Sequence, residues 1–420
     1  MSAFSLSRYS RLAALASMAA CTTAGASVGI FGHGDGMQSM GMGGVSYSLA
    51  GEATALAGNP AHALSLGTRL DVGLEVLTPL ARVNIVGNAL GADSEHESSG
   101  KRFYAIPQGG FTLPLTERLS FGFSLLSAGL GPNYRNSPYA RFNSAPNADI
   151  LLASAGTISA LAFQLTPEHA VGVGLNLGYQ TLEVNGLQFL MQVSEQPDRV
   201  TDQGTDGSFS VGLTVGWVGR IAPDLTGGLG YRSKAWTQKH DDYAGLIPDA
   251  GRLELPAVFG GGVTYTGLPT LTLSAEAQRY LYEAERGFGN PVGKLADGNA
   301  LGSTDGPSFG FKNQNVFKFG VAWEAHQQLT LRAGLVLASQ MIRSSDTLFA
   351  GLGPASATDL YSLGSTFKAD RWSLTSLLWY NPRDGVQGRG SIPEAFGGGE
   401  ANTSNELLGF GLSFGWEFGS

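Results

Sequence analysis

Cysteine is almost absent from this 420-residue chain, Cys21 being the only one. A single thiol excludes an intrachain disulfide framework and any cysteine-rich metal site. Charge is sparse as well: Asp, Glu, Lys and Arg make up 14% of the residues, and acidic groups outnumber basic ones 34 to 26. A net charge of -8 offers no basic face for the phosphates of nucleic acid, so no nucleic-acid partner is expected. Long hydrophobic runs are missing too. The apolar stretch Leu12 to Ala20 is too short to cross a bilayer as a helix, and nothing later supplies the ~20 continuous apolar residues that such a helix needs.

What the chain has in abundance is glycine, 61 residues, at a mean hydropathy of +0.02. Disordered polyampholytes and helical membrane proteins both lie far from that combination. A membrane barrel reconciles it, because its strands turn apolar groups to lipid and small or polar groups to the lumen. The final segment makes the case: Leu408, Phe410, Leu412, Phe414, Trp416 and Phe418 alternate with Gly409, Gly411, Ser413, Gly415 and Glu417. Val171, Val173, Leu175, Leu177 and Tyr179 alternate in the same way with Gly172, Gly174, Asn176 and Gly178. A period of two is that of a strand with unlike faces.

These segments are joined alternately by short and long connectors. Short ones, such as Thr166-Pro167-Glu168-His169, Ala222-Pro223-Asp224 and Lys368-Ala369-Asp370-Arg371, carry turn residues. Long polar ones run over 87–100, 132–148, 187–206, 238–251, 286–311, 342–357 and 383–406. Strict alternation of the two predicts an all-β, antiparallel up-and-down transmembrane barrel over 68–420, of about fourteen strands, with short periplasmic turns and long outer loops. Strand limits include 101–114, 252–266, 270–285 and 407–418. Trp236, Tyr265, Tyr280, Tyr282, Trp323, Trp372, Trp379 and Tyr380 are expected in the interfacial girdles. Phe414, Trp416 and Phe418 resemble the aromatic-ended final strand that the outer-membrane assembly machinery recognises, with Gly419 and Ser420 following as a departure.

The first 26 residues read as a secretory signal: Arg8 and Arg11, the apolar stretch, then Ala24-Gly25-Ala26 as a cleavage site before Ser27. Acylation of Cys21 after Met18-Ala19-Ala20 is the alternative. Residues 27–67 lack strand alternation; they form a Gly- and Ala-rich, weakly helical segment suited to packing against an inner wall, ending in Asn59-Pro60-Ala61. Pro60 fixes its own φ and restricts Asn59, whose amide can bind backbone groups.

From Met40-Gly41-Met42-Gly43-Gly44 through the small-residue stretch to Asn59-Pro60-Ala61, and then over the barrel, the chain resembles the FadL family of outer-membrane transporters for long-chain fatty acids and related hydrophobic compounds. The resemblance implies an N-terminal plug, or hatch, over 27–67, with Asn59, Pro60 and Ala61 as its motif. It also implies capture of a hydrophobic small molecule by the outer loops and lateral release through an interruption of the third strand. Ser127 to Pro132 closes that strand, so Gly129, Gly131 and Pro132 are the lateral-opening candidates. Arg135, Arg141 and Lys234 are the candidates to meet a fatty-acid carboxylate. An aromatic hydrocarbon would need none. Outer-membrane lipid, lipopolysaccharide and the assembly machinery are the expected partners of a monomer in the outer membrane of a Gram-negative bacterium. No catalytic residue, metal or cofactor is assigned: His33, His62, His96, His169, His240 and His326 show no metal-ligand spacing. Rival readings are a barrel-embedded enzyme, a general porin for hydrophilic solutes, and a barrel repurposed as a surface adhesin or phage receptor.

Overall fold

The computed structural model describes residues 29–100 and 103–419; the expected signal over 1–26, including Cys21 and its cleavage site, lies outside them. Seventeen strands join in one antiparallel sheet. Three are short pieces, at Ser94–Glu97, Asn133–Tyr134 and Trp236–Thr237. The other fourteen form the wall: β1 (Arg69–Val86), β2 (Tyr104–Thr116), β3 (Leu119–Leu130), β4 (Ala148–Thr166), β5 (His169–Asn185), β6 (Asp206–Ala222), β7 (Leu225–Arg232), β8 (Val258–Leu268), β9 (Leu271–Tyr280), β10 (Gln314–His326), β11 (Leu329–Ala338), β12 (Asp359–Ala369), β13 (Trp372–Val386) and β14 (Glu400–Glu417). β1 closes on β14 in unbroken register, from Arg69 opposite Glu417 to Val86 opposite Glu400.

Closure follows from solvent. Hydrocarbon offers no partner to a backbone N–H or C=O, so a membrane-crossing sheet must satisfy its own edges. At one rim six turns leave only two residues between strands, as at Pro167-Glu168 and Pro223-Asp224. Thr270 and Asp370 take left-handed φ of 63° and 45° there. At the other rim the loops are long.

Alternation sets the two faces. Leu408, Phe410, Leu412, Phe414, Trp416 and Phe418 are 37–49% exposed, while Gly409, Gly411, Ser413 and Gly415 are buried inside. Trp236, Tyr265, Trp323 and Tyr380 face outward as expected of girdle residues. Three others do not: Tyr280, Tyr282 and Trp379 are 4%, 0% and 1% exposed and face inward. Tyr280 and Trp379 fall on the lumen parity of β9 and β13, and Tyr282 lies beyond the end of its strand.

The outer loops also differ from simple polar connectors. Tyr139, Phe189, Tyr243, Phe288 and Phe349 are buried in a shared apolar core. This is why β8 begins at Val258 rather than near 252 and β9 ends at Tyr280 rather than near 285: the apolar residues between serve the loop core. β14 in turn starts at Glu400 rather than 407, its polar first half pairing with the top of β1. Residues 29–67 contain only short helical turns, at Met37–Met40, Ala53–Ala57 and Pro60–Leu64, and lie largely buried inside the wall.

An arginine in place of Leu412, on the lipid face of β14, is expected to lower stability by about 2–4 kcal/mol. Equilibrium denaturant unfolding in lipid vesicles measures it, and no loss there would mean that this face does not meet lipid.

Candidate functional site

The N-terminal segment is held by groups that the strands project inward. Asn59 caps the turn Pro60–Leu64, its Oδ1 accepting from the Ala61 N–H at 3.1 Å, with proline at the first helical position. Its Nδ2 donates to the Tyr47 carbonyl at 2.7 Å and to the Trp217 carbonyl of β6 at 2.9 Å. On β9, Glu276 Oε1 accepts from the backbone N–H of Ser46 at 2.8 Å and of Tyr47 at 2.6 Å. Asp71 of β1 accepts from Ala53 N–H at 2.7 Å and is itself paired with Arg69 at 2.8 Å. Lys318 of β10 donates to the Gly44 carbonyl at 2.9 Å. Burial lowers His33 to about 3 and His62 to about 4, so both rings stay neutral, each bonded to a backbone carbonyl.

Wall glycines make the room. A Cβ on Gly172 would stand 2.4 Å from the Ala61 nitrogen, and one on Gly216 would stand 1.9 Å from Asn59 Oδ1. Gly110 meets the Ala53 carbonyl carbon at 2.5 Å and Gly334 the Gly43 nitrogen at 1.9 Å in the same sense. The segment and wall therefore fit backbone against backbone.

Pairing between β2 and β3 stops at Gly110 opposite Ser124. Beyond it, Tyr104 to Gly109 pair only with β1, and Leu125 to Leu130 pair, within the wall, only with β4. The N-terminal segment enters this seam: Phe31 bridges Ala128 in antiparallel fashion, and the Gly129 N–H donates to the Ile30 carbonyl at 2.9 Å. Tyr104 hydroxyl donates to the Gly131 carbonyl. Of the three lateral-opening candidates, Gly129 lies within the seam, Gly131 at its outer end, and Pro132 beyond it, accepting from Ile150 N–H.

Beside the seam lies a cavity of about 790 Å³, open water included, lined by Phe31, Asp35, Glu75, Gln108, Arg232 and Lys318 among others. The Arg232 guanidinium sits 5.0 Å from the Phe31 ring centre and makes no side-chain hydrogen bond or ion pair among the described residues. Burial raises Asp35 above the usual carboxylate range, against the pull of Arg232 and Lys318. Nearer the loop rim is an apolar groove of about 500 Å³, with Leu152, Leu182, Leu253, Leu301, Phe309 and Phe349 in its lining. Aromatic rings run from one to the other through Phe31, Tyr280, Tyr282, Phe288 and Phe309, at centroid spacings of 5.3–6.1 Å.

The basic residues singled out from sequence lie elsewhere. Arg135 is exposed, Arg141 donates to the Ala92 carbonyl and Ser94, and Lys234 is held by Glu254 at 2.6 Å and Glu285 at 3.4 Å. Lys234 already has its anions. Arg232 and Lys318 were missed, although strand parity marks them: Gly228, Gly230 and Arg232 share one face of β7, opposite the outward Leu229 and Tyr231.

Among the described residues no group of three or more His, Cys, Asp or Glu is placed to hold a metal. Three G-x-S-x-G pentapeptides occur, at 25–29, 306–310 and 411–415; the serine of the first lies outside the described residues, and the other two do not form a nucleophile elbow. Ser308 donates to the Arg286 carbonyl at 2.8 Å in an outer loop, and Ser413 lies within β14.

The sequence pattern of the family described as "Outer membrane protein transport protein (OMPP1/FadL/TodX)" matches residues 17–375. No curated protein matches in sequence. A Pseudomonas aeruginosa FadL homologue superposes with a TM-score of 0.69 at 16% identity, over 93% of this chain and 100% of its own. The Pseudomonas putida toluene transporter TodX gives 0.68 at 17%, over 92% and 99%. The Ralstonia pickettii toluene transporter TbuX gives 0.64 at 15%, over 92% and 99%.

Valine at Gly172 is expected to push the Asn59-Pro60-Ala61 turn off the wall while the barrel persists. Larger single-channel conductance in planar bilayers and new protease cleavage within 29–67 report it; valine at Gly293, where nothing lies within 4 Å, is the control.

Proposed function

The chain belongs to the FadL/TodX family of outer membrane transport proteins, and we propose that it takes up hydrophobic small molecules ending in a carboxylate, long-chain fatty acids first among them. In this reading the apolar groove among the outer loops takes the hydrocarbon tail and the inner cavity takes the carboxylate. Residues 29–67 act as the hatch that denies water a path, and the molecule leaves sideways through the seam between β2 and β3. The single observation that carries the acid is Arg232. A guanidinium that faces an inner cavity with no carboxylate bonded to it is placed to take up an anion from a ligand, and Lys318 stands in the same lining.

TodX and TbuX are named for toluene, an uncharged hydrocarbon. Such a substrate offers a cation only the face of its ring, a weaker partner than a carboxylate and one that Phe31 already supplies, so the charge at Arg232 favours the acid. The filled bore speaks against a general porin, which needs an open path for water.

Two outcomes are expected. Arg232→Gln weakens long-chain fatty acid binding to the purified protein about tenfold or more, the loss of a charge-assisted pair, and leaves toluene binding unchanged; equal acid affinity in the two proteins would remove the acid reading. Phe31 and Ala128, replaced together by cysteine, should bond across the antiparallel bridge under oxidation. Uptake of labelled fatty acid into cells then stops on oxidation and returns on reduction, whereas undiminished uptake through the cross-linked protein would refute release at the seam.

A further inference from the structure

Two opposite charges face the inner cavity without meeting. Asp35 and Arg232 both line it, neither side chain makes a hydrogen bond or ion pair among the described residues, and they form no ion pair with each other. They attract one another across the cavity yet stand beyond ion-pair distance.

Both frames are rigid. Arg232 rests on the Phe31 ring, which stacks on Tyr280 at 5.3 Å and is pinned to Ala128 by its bridge. Asp35 sits between Gly34, where a Cβ would lie 2.5 Å from Gly44 Cα, and Gly36, at φ 93°, where one would lie 2.1 Å from Thr54 Oγ1. These close contacts place the Asp35 backbone against Gly44 and Thr54. The other acid in the lining is already occupied: Glu75 accepts from Trp379 Nε1 at 2.7 Å and from Gln108 at 3.4 Å.

We propose that this cavity is built for an amphipathic acid with a hydrogen-bond donor, a hydroxyl or amide N–H, within a few atoms of its carboxylate, and that Asp35 is the residue that reads that donor. The inference rests on the acid reading given above and narrows it. The ligand's carboxylate answers Arg232 and Lys318, and its neighbouring O–H or N–H donates to Asp35. A plain fatty acid leaves Asp35 unanswered and sets its own carboxylate near a second one. A hydrocarbon leaves both charges bare. Hydroxylated acyl chains and N-acyl amino acids share the required head chemistry.

The experiment compares hexadecanoate with 3-hydroxyhexadecanoate as competitors of a fluorescent fatty acid on the full protein in detergent micelles. Wild type is expected to prefer the hydroxy acid about tenfold, the scale of one hydrogen bond to a charged group. Asp35→Ala should bring the two within about twofold, by weakening the hydroxy acid and relieving the repulsion on hexadecanoate. Asp35→Asn, close to it in shape, should give an intermediate ratio and guards against misfolding as the cause. Hexadecanoate binding with no preference in wild type, or a preference that survives Asp35→Ala, overturns this inference and leaves the acid reading intact. Failure of both acids to displace the probe overturns the acid reading and this inference with it.

Discussion

The structure depends on one requirement, that every backbone N–H and C=O facing hydrocarbon find its partner inside the protein. An unmet group there costs several kcal/mol. The fourteen strands meet it by closing β1 on β14 along eighteen residue pairs. Where β2 and β3 part, the requirement passes to other groups. The Ile30 carbonyl takes the Gly129 N–H and the Tyr104 hydroxyl reaches the Gly131 carbonyl. The start of the described chain is thus part of the wall as well as of the filling.

That double part explains the chemistry of the inner face. The segment buries Ile30, Phe31, Met37, Met40, Met42 and Leu56, but much of the rest is glycine and alanine, so hydrophobic packing is only part of what holds it. Close backbone approach and charged side chains supply the rest. Gly110, Gly172, Gly216 and Gly334 let it come within reach, and Glu276, Asp71 and Lys318 take its orphan backbone groups. Glycine is frequent in this chain partly because the lumen is filled with main chain rather than side chains.

The wall could be read from sequence because its cause is local. Lipid on one side and a filled bore on the other impose a period of two, and Leu408 to Phe418 display it without help from any distant residue. Asn59-Pro60-Ala61 also announces itself, its turn chemistry being contained in three residues. What escaped notice depends on neighbours far along the chain. Tyr280 and Trp379 look like girdle aromatics until their parity is followed inward. Apolar residues around 252–257 and 281–285 extend the neighbouring strands on paper, yet serve the loop core. The seam left a trace in Pro107 of β2, since proline within a strand marks an edge where pairing is given up. The trace acquires meaning only once β3 is known to turn to β4. Arg232 was within reach of the parity argument, and Lys234, two residues on, was the more conspicuous basic residue only because its two carboxylates lie 20 and 51 positions away.

Under the function proposed above, the groove and the inner cavity would bind by different physics, and the difference bears on direction. An apolar groove holds a hydrocarbon tail at about 0.8 kcal/mol per buried methylene, a grip that grows with chain length and has no natural point of release. A carboxylate held by charge in a partly wetted cavity is released when the charge moves. Phe31 joins these facts: its ring supports Arg232, stacks on Tyr280 at the inner end of the aromatic row, and belongs to the residue that bridges Ala128 in the seam. Any displacement of Phe31 that parts the seam also removes the surface on which Arg232 rests. If the proposed acid is carried and leaves at the seam, opening of the wall and loosening of its head group would be one event, with no need for a separate signal between them.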